Sequence, residues 1–518
     1  MSELHRPDFE PFDIREPEVA ERLNFEHRDE YLRRREFLER TALVAGLGVG
    51  LATVLSPSQL VSQAAKAQAT TQAVPTPGNM PIDTFVVVMM ENRSFDHYLG
   101  WLPGADGRQA GLSYKDRHGK RYKTQPTMKV APDFKGCAYP DPDHGWEGGR
   151  LQLAGGKLNG FLKPRDNSEF SISYYRKGEL PFTHTLAPQT TVYDRYFCSL
   201  LGPTWPNRMY MHAATSYGRH DNNLVPGSVP DTTIFASLKA KGVDSRYFAS
   251  DVPVSALWGK SGLDRTGRIP EYYERCASGT LPPVSYVDPM FAIGQKQGLQ
   301  GDEHPNGDVR IGQAWLADVV SAFVESPQWK NGAIFVVYDE WGGFFDHVRP
   351  PRVPDDRSSS DINKDFGQMG FRIPAMAFSP YLRRGYVDHG TYGSESVLKM
   401  IEDRFGLAPL TKRDAHANSI AASFDFASPP RLDPIKMPHP AKVIAEPCAA
   451  PLKKKKRKRA AGVSVAEEEY LQPPPHDEMR ALYETGYLDS LGWEYKPARP
   501  EDVFREPSKV FAAHKAAN

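Results

Sequence analysis

Glu91-Asn92 and Asp339-Glu340 each stand directly behind a short apolar run, residues 84–90 and 333–338. These four side chains offer only oxygen donors, the set that a hard or borderline divalent cation takes. Capping of a following turn would account for one such pair. Two pairs at equivalent strand ends are what a shared cation site requires. A third segment, Gly202-Pro203-Thr204-Trp205-Pro206-Asn207-Arg208, has the look of a helix start, with Pro206 suited to the first turn and Thr204 just ahead of it. A helix N-terminus offers N–H groups and positive dipole to an anion, and Arg208 adds a fork of donors. The Thr204 hydroxyl has two readings there. It caps the helix, or it is a nucleophile whose pKa a metal lowers. Three histidines join this set. His304 and His144 lie in acidic, proline-bounded loops, and His347 follows Glu340 by seven residues. His97 is expected to brace Asp96 and its turn.

The elements that must position these groups read as α/β. The runs 84–90 and 333–338, with the weaker 374–378, are apolar without alternation, as strands buried on both faces of a mostly parallel sheet should be. Helices are expected over 232–241, 311–324 and 394–405, the last with Ser394 as its cap. Residues 101–180 and 245–300, rich in Gly, Pro and Tyr, read as loop insertions over the sheet. Ligands of an open parallel sheet bind beyond the carboxyl ends of its strands, where the acidic pairs fall.

Composition narrows the function classes. The 518 residues carry 64 Lys+Arg against 64 Asp+Glu, a balance unlike that of a general nucleic-acid binder. At 40% hydrophobic residues the chain buries a substantial core. Four cysteines are too few and too scattered for a disulfide scaffold or a zinc ribbon, and their pairing is open.

Residues 1–69 read as an export region. Arg33-Arg34-Arg35 and Phe37-Leu38 precede an uncharged run over 41–55, too short for a membrane span of about 20 residues. The pattern resembles a twin-arginine signal with cleavage after Ala67 or Ala69, which makes the export machinery a partner. The mature chain is then periplasmic, in the cell envelope or extracellular, without a stable transmembrane segment. Residues 70–80 read as a linker, 81–425 as the catalytic domain, and 426–518 as a Pro-rich extension with a basic run over 453–459 that reads as a solvated loop.

The segments Glu91 to Tyr98, Gly202 to Arg208, Asp302-Glu303-His304-Pro305, Tyr338-Asp339-Glu340 and Asp346-His347-Val348 together resemble the bacterial phosphoesterase family of phospholipases C and the related acid phosphatase, over residues 81–408. The resemblance implies an alkaline-phosphatase-like fold, a mixed, mostly parallel sheet flanked by helices with loop-rich insertions. It implies one divalent ion, calcium, zinc, magnesium or manganese, held by Glu91, Asn92, Asp339 and Glu340. It also implies Thr204 as nucleophile and metal ligand, and His304 as a residue that either supports the metal ligands from behind or serves the leaving group. The expected substrate is a phosphate ester, a phospholipid diester first and a phosphomonoester as the alternative. A non-catalytic phosphate- or phospholipid-binding protein is the third reading, disfavoured because every ligand and Thr204 are retained. Thr204-x-Pro206-x-Arg208 also has the sulfatase spacing. Oxidising a Thr there would give a ketone rather than an aldehyde hydrate, which disfavours sulfate-ester chemistry by that route.

Overall fold

The run 84–90 forms strand β1 (Thr84–Met90), and 333–338 forms a neighbouring strand, Gly332–Tyr338. They pair in parallel and in register from Thr84 opposite Gly332 to Met90 opposite Tyr338. All residues of both are buried, and each large apolar side chain contributes about 1.5–3 kcal/mol. The computed structural model describes residues 79–223, 229–291, 298–357, 365–448, 478–496 and 499–517. The export region, nearly all of the linker and the basic run lie outside the described residues.

The central sheet has 8 strands. In chain order they are β1, β2 (Thr191–Tyr193), β3 (Ser245–Ala249), β4 (Thr266–Arg268), β5 (Val284–Asp288), β6 (Gly332–Tyr338), β7 (Met376–Phe378) and β8 (Tyr386–Asp388). Across the sheet the order is β8-β2-β7-β6-β1-β5-β3-β4. Strand β7 runs antiparallel to both its neighbours and every other pairing is parallel, so the sheet is mixed and mostly parallel. The third apolar run therefore forms a strand, but with reversed direction.

Residues 245–300 depart most from expectation. They are not an insertion: β3, β4 and β5 all come from this stretch, and β5 pairs directly with β1. These strands are 3–5 residues long and carry tyrosines between Gly- and Pro-rich turns, so their composition resembled loop.

The flanking helices are α1 (Phe95–Leu99), α2 (Thr204–Ala213), α3 (Ile234–Ala240), α4 (Ile269–Ser278), α5 (Val309–Val324) and α6 (Ser394–Phe405). Helix α5 is buried almost all round, as an apolar helix in a core should be. Helix α6 packs against α2. Its N-cap is Gly393 rather than Ser394, and the Ser396 hydroxyl accepts the Gly393 N–H.

The extension after residue 425 stays attached to this body. Helix Pro507–Ala517 packs on α4, and Cys448 is disulfide-bonded to Cys137. Cys198 and Cys276 are buried free thiols. Among the described residues no helix is long and apolar enough to cross a membrane.

Candidate active site

The register of β1 with β6 delivers the two acidic pairs side by side. Past the last pairing, Asp339 N–H donates to Met90 O, and Arg93 N–H to Glu340 O. Asp339 Oδ1 accepts from Asn92 N–H at 3.1 Å and from Glu340 N–H at 2.6 Å. Asn92 makes this turn in the left-handed region, φ 60°. Gly342 fits against it: a Cβ there would meet Asn92 O at 2.0 Å. Glu340 Oε2 accepts from Gly342 N–H at 2.8 Å.

Helix α2 brings in Thr204 and Arg208. Asn207 lashes the preceding loop, its carbonyl taking Leu200 N–H at 2.8 Å and its amide donating to Gly202 O at 2.7 Å. Pro203 occupies the N-cap, so Thr204 is the first helical residue and makes no side-chain capping bond. The capping reading of Thr204 is thereby removed. Thr204 lies one turn before Arg208 on the same helix face, and Arg208 reaches the strand ends. Its guanidinium is 3.1 Å from Asp339 Oδ2, 3.3 Å from Glu91 Oε1 and 3.0 Å from Asp288 Oδ2.

Arg208 therefore does not present the free donor fork expected for an anion. Three buried carboxylates in a low-dielectric setting claim it. Burial opposes its charge, but Asp288, Asp339 and Glu91 outweigh that and raise its pKa. Of the first-turn amides, Trp205 N–H is taken by Asn222 Oδ1 and Pro206 has none. The Thr204 N–H and the helix dipole are what the helix offers an anion.

Asp288 and its partner Tyr247 escaped the sequence reading. Asp288 ends β5, beside β1, and is a third carboxylate delivered at a strand end. Tyr247 O–H donates to Asp288 Oδ2 at 2.5 Å. The signal was an acid closing an apolar segment, as with Asp339, but it lay in a stretch read as an insertion.

The His304 loop is pinned by its neighbour. The Glu303 carboxylate accepts from Tyr98 O–H at 2.9 Å, Tyr338 O–H at 2.7 Å and Gln313 Nε2 at 2.8 Å. Asp302 O accepts Glu91 N–H, which seats the loop against the end of β1. His144 stands on the same side: its Nε2 is 3.4 Å from Asn92 Nδ2, and its ring centroid is 5.9 Å from that of His304. Glu91, Asn92, Asp339, Glu340, Arg208, His144 and His304 thus form one contiguous group.

His347 belongs to a different group. Its ring nitrogens are held by Asp96 Oδ2 at 2.5 Å and Asp106 Oδ1 at 3.2 Å. Arg372 completes that cluster with Asp96 and Asp346. His347 and Arg372 brace Asp96, not His97, whose Nδ1 bonds Ser173 O and whose ring stacks on Phe344. The acidic partners of His347 are thus Asp96 and Asp106, in the segment that follows β1.

The residues at the strand ends fit a cation. Asn92 Oδ1, Glu340 Oε1 and Thr204 Oγ1 are buried without a hydrogen-bond partner, each atom costing about 1–3 kcal/mol if left so. Burial pushes the Glu340 carboxyl well above its usual range; His144 draws it back and the Asp339 charge adds to the rise. Oxygen-only donors, from three elements, in a buried place that disfavours uncompensated negative charge, suit a bound divalent ion.

A model of the Phosphoesterase family matches residues 82–408. The chain is 32% identical over 397 residues to non-specific phospholipase C1 of Arabidopsis thaliana, covering 69% of this chain and 74% of that protein. It is 31% identical over 439 residues to phospholipase C B of Mycobacterium tuberculosis, covering 71% and 82%. A solved structure of an alkaline phosphatase superfamily protein from Vibrio parahaemolyticus aligns with TM-score 0.31 at 11% identity, over 66% of this chain and 74% of that one. The chain belongs to the Phosphoesterase family. It is a phosphoric ester hydrolase.

Proposed function

We propose that the chain is an exported phospholipase C-type phosphodiesterase that works through a threonyl-phosphate intermediate. The observation that carries this reading is that three oxygens, Thr204 Oγ1, Asn92 Oδ1 and Glu340 Oε1, are buried without hydrogen-bond partners, at the start of α2 and at the ends of β1 and β6, which Arg208 of α2 ties together. Glu91, Asn92, Asp339, Glu340 and Thr204 would hold the metal. When bound, that ion supplies charge neutralisation at a phosphoryl oxygen and lowers the pKa of the Thr204 hydroxyl.

Thr204, its proton lost to water, attacks phosphorus and forms an Oγ1–P bond while the ester P–O bond to the alcohol breaks. His304 donates the proton that the departing alkoxide requires. Water then attacks the phosphothreonine, His304 takes a proton from that water, and the P–Oγ1 bond breaks as Thr204 regains from solvent the proton it had given up. The Thr204 N–H and the α2 dipole stabilise the equatorial charge. Arg208 acts through Glu91 and Asp339, holding both carboxylates in place. With a phospholipid, the products are a diacylglycerol and the phosphorylated head group.

The names of the plant and mycobacterial relatives support the diester as substrate. Export rests on the arginine pair 34–35 ahead of the short apolar run. Replacing Arg34 and Arg35 by Lys should strand the precursor in the cytoplasm, read by fractionation.

The deciding experiment assays the purified protein on a choline phosphodiester and on a matching aryl phosphomonoester, with metal analysis of the same sample. The diester is expected to turn over faster, with metal present. A monoester turned over a hundredfold faster than any diester assigns an acid phosphatase instead. No turnover of either by metal-replete protein assigns a binding protein.

A further inference from the structure

The insertion over residues 101–180 carries a feature that the strand-end site does not use, a β-hairpin of strands Ser113–Lys115 and Arg121–Lys123. Its antiparallel register sets Tyr114 opposite Tyr122, Ser113 opposite Lys123 and Lys115 opposite Arg121. Side chains alternate faces along a strand, so the two tyrosines share one face and the other four residues share its reverse. The tyrosine face is the packed one. Tyr114 is buried against Phe161 and Phe345, with ring centroids 5.6 Å and 6.2 Å away. The reverse face presents Lys115, Arg121 and Lys123, all exposed, and the turn adds exposed Arg117 and Lys120.

This charge is concentrated and unbalanced. Over residues 113–123 five cations meet one acid, Asp116, in a chain whose total is 64 against 64. Asp116 serves the turn itself, its Oδ1 accepting from His118 N–H and Lys120 N–H, both at 2.9 Å. Among the described residues none of the five cations forms an ion pair with a carboxylate. Arg121 Nη1 donates to Ser113 Oγ at 2.7 Å, Arg117 Nε donates to His118 Nε2 at 3.1 Å, and Lys120 Nζ lies 4.6 Å from the centroid of the Tyr122 ring. Like charges directly opposite each other weaken a sheet, so the Lys115–Arg121 pair costs the fold stability. A hairpin built for stability alone would carry an acid at one of these positions.

The hairpin stands on the catalytic side of the sheet. Phe345, on which Tyr114 packs, lies five residues past Glu340. Its carbonyl accepts from Ser94 Oγ at 2.6 Å, two residues past Asn92. Lys163 Nζ donates to Asp116 O at 2.7 Å and brings one more exposed cation to the turn.

We propose that this hairpin is the surface on which the protein meets an anionic phospholipid bilayer. Such a surface is an extended array of phosphate charge, and each cation held within a Debye length of it gains about 1 kcal/mol. Three cations on one anchored face, joined by two at the turn, match that array without a pocket. A nucleic acid asks for a basic excess over a whole domain, which 64 Lys+Arg against 64 Asp+Glu does not supply. Docking here brings the strand-end site to the surface that holds a phospholipid substrate. That consequence rests on the phospholipase reading above, whereas the docking itself does not.

The test is flotation of the full chain with vesicles of phosphatidylcholine alone and of phosphatidylcholine mixed with phosphatidylglycerol. Wild type should bind the mixed vesicles far better than the neutral ones, and lose that binding as salt is raised. The triple variant Lys115→Ser, Arg121→Ser, Lys123→Ser should bind the mixed vesicles on the order of a hundredfold more weakly, from about 1 kcal/mol for each cation. Its melting temperature should not fall, because a repulsive pair is removed, and its turnover of a soluble choline phosphodiester should equal that of wild type. Should the triple variant misfold, Arg117→Ser with Lys120→Ser decides the matter, with a loss on the order of tenfold. Wild-type affinity in the folded variants, or equal binding of wild type to neutral and mixed vesicles, would overturn the proposal. Tighter binding to a DNA duplex than to the mixed vesicles would reassign the face to nucleic acid. Hairpin-dependent vesicle binding without turnover of any diester would refute the phospholipase reading and leave the docking surface standing.

Discussion

Thr204 carries the sharpest residue-scale test, because its hydroxyl does nothing visible for the fold. It caps no helix and bonds no neighbour, so Thr204→Ala forfeits less than the roughly 1 kcal/mol typical of a lost cap. As the nucleophile its loss should lower turnover by several orders of magnitude while substrate binding is largely kept. Thr204→Ser keeps the attacking oxygen and should keep substantial activity. Rapid quenching of wild type with labelled substrate should leave phosphate on residue 204, and an alanine variant near wild-type rate would end the assignment. The two acids of β6 separate in a similar way. Asp339 pairs with buried Arg208, so Asp339→Ala should cost about 3–5 kcal/mol of stability as well as metal. Glu340 faces the His144 imidazole rather than a guanidinium, and Glu340→Gln should lose metal with the melting temperature nearly kept. Sequence showed which residues could act, because acids behind buried strands are hard to explain by packing. It did not show that Arg208 faces inward, since a guanidinium takes whichever acceptors the fold brings nearest. Asp288 became one of them only through the pairing of β5 with β1.

At the scale of elements, the turns leaving β1 and β6 are locked together by the buried cluster of Asp96, Asp346, His347 and Arg372, with Asp106. His347 is held in this cluster by Asp96 and Asp106. Burial opposes charge on His347, but Asp96 and Asp106 override it and its pKa is pushed up to about 9. A raised folded pKa stabilises fully below the unfolded value of about 6.5, and the contribution disappears as pH rises through about 9. Burial likewise opposes the Asp96 charge, yet His347 and Arg372 pull its pKa down. That share is lost as pH falls below the ordinary carboxylate range. The Asp96–His347 pair therefore contributes most between about pH 4 and 6.5. Wild type should lose melting temperature between pH 6.5 and 9, and His347→Gln, less stable at pH 6, should lose much less over that interval. An equal slope in both proteins would remove His347 from the cluster's energetics. Continuous apolar runs made β1, β6 and, more weakly, β7 legible in sequence, whereas β2, β4 and β8 are three residues each and offer no period to read.

Across the whole molecule, the catalytic face is closed by chain that is distant in sequence. The disulfide Cys137–Cys448 spans 311 residues and ties the C-terminal extension to the loop that carries Asp141 and His144. The same strap lies along the His304 side: Ala445 N–H donates to Gly298 O, and Lys135 Nζ donates to Glu446 O at 2.7 Å. Lys135 O in turn accepts Asn306 N–H, two residues past His304. Four scattered cysteines left this pairing open in sequence, because connectivity depends on which loops meet in space. Cross-linking a loop of this length restricts the unfolded chain, and its loss typically costs about 2–5 kcal/mol. Reduction, or Cys448→Ser, should therefore lower the melting temperature. Its effect on rate should fall on the leaving-group step proposed for His304 rather than on the nucleophile, since Thr204 is positioned by α2 and the Asn207 lashing, remote in sequence from the strap. Substrates with a poor leaving alcohol should then slow more than aryl esters, whose leaving group needs little protonation. Measured on both classes, a Cys448→Ser variant that slows them by the same factor would show that the strap steadies the fold without positioning the histidines.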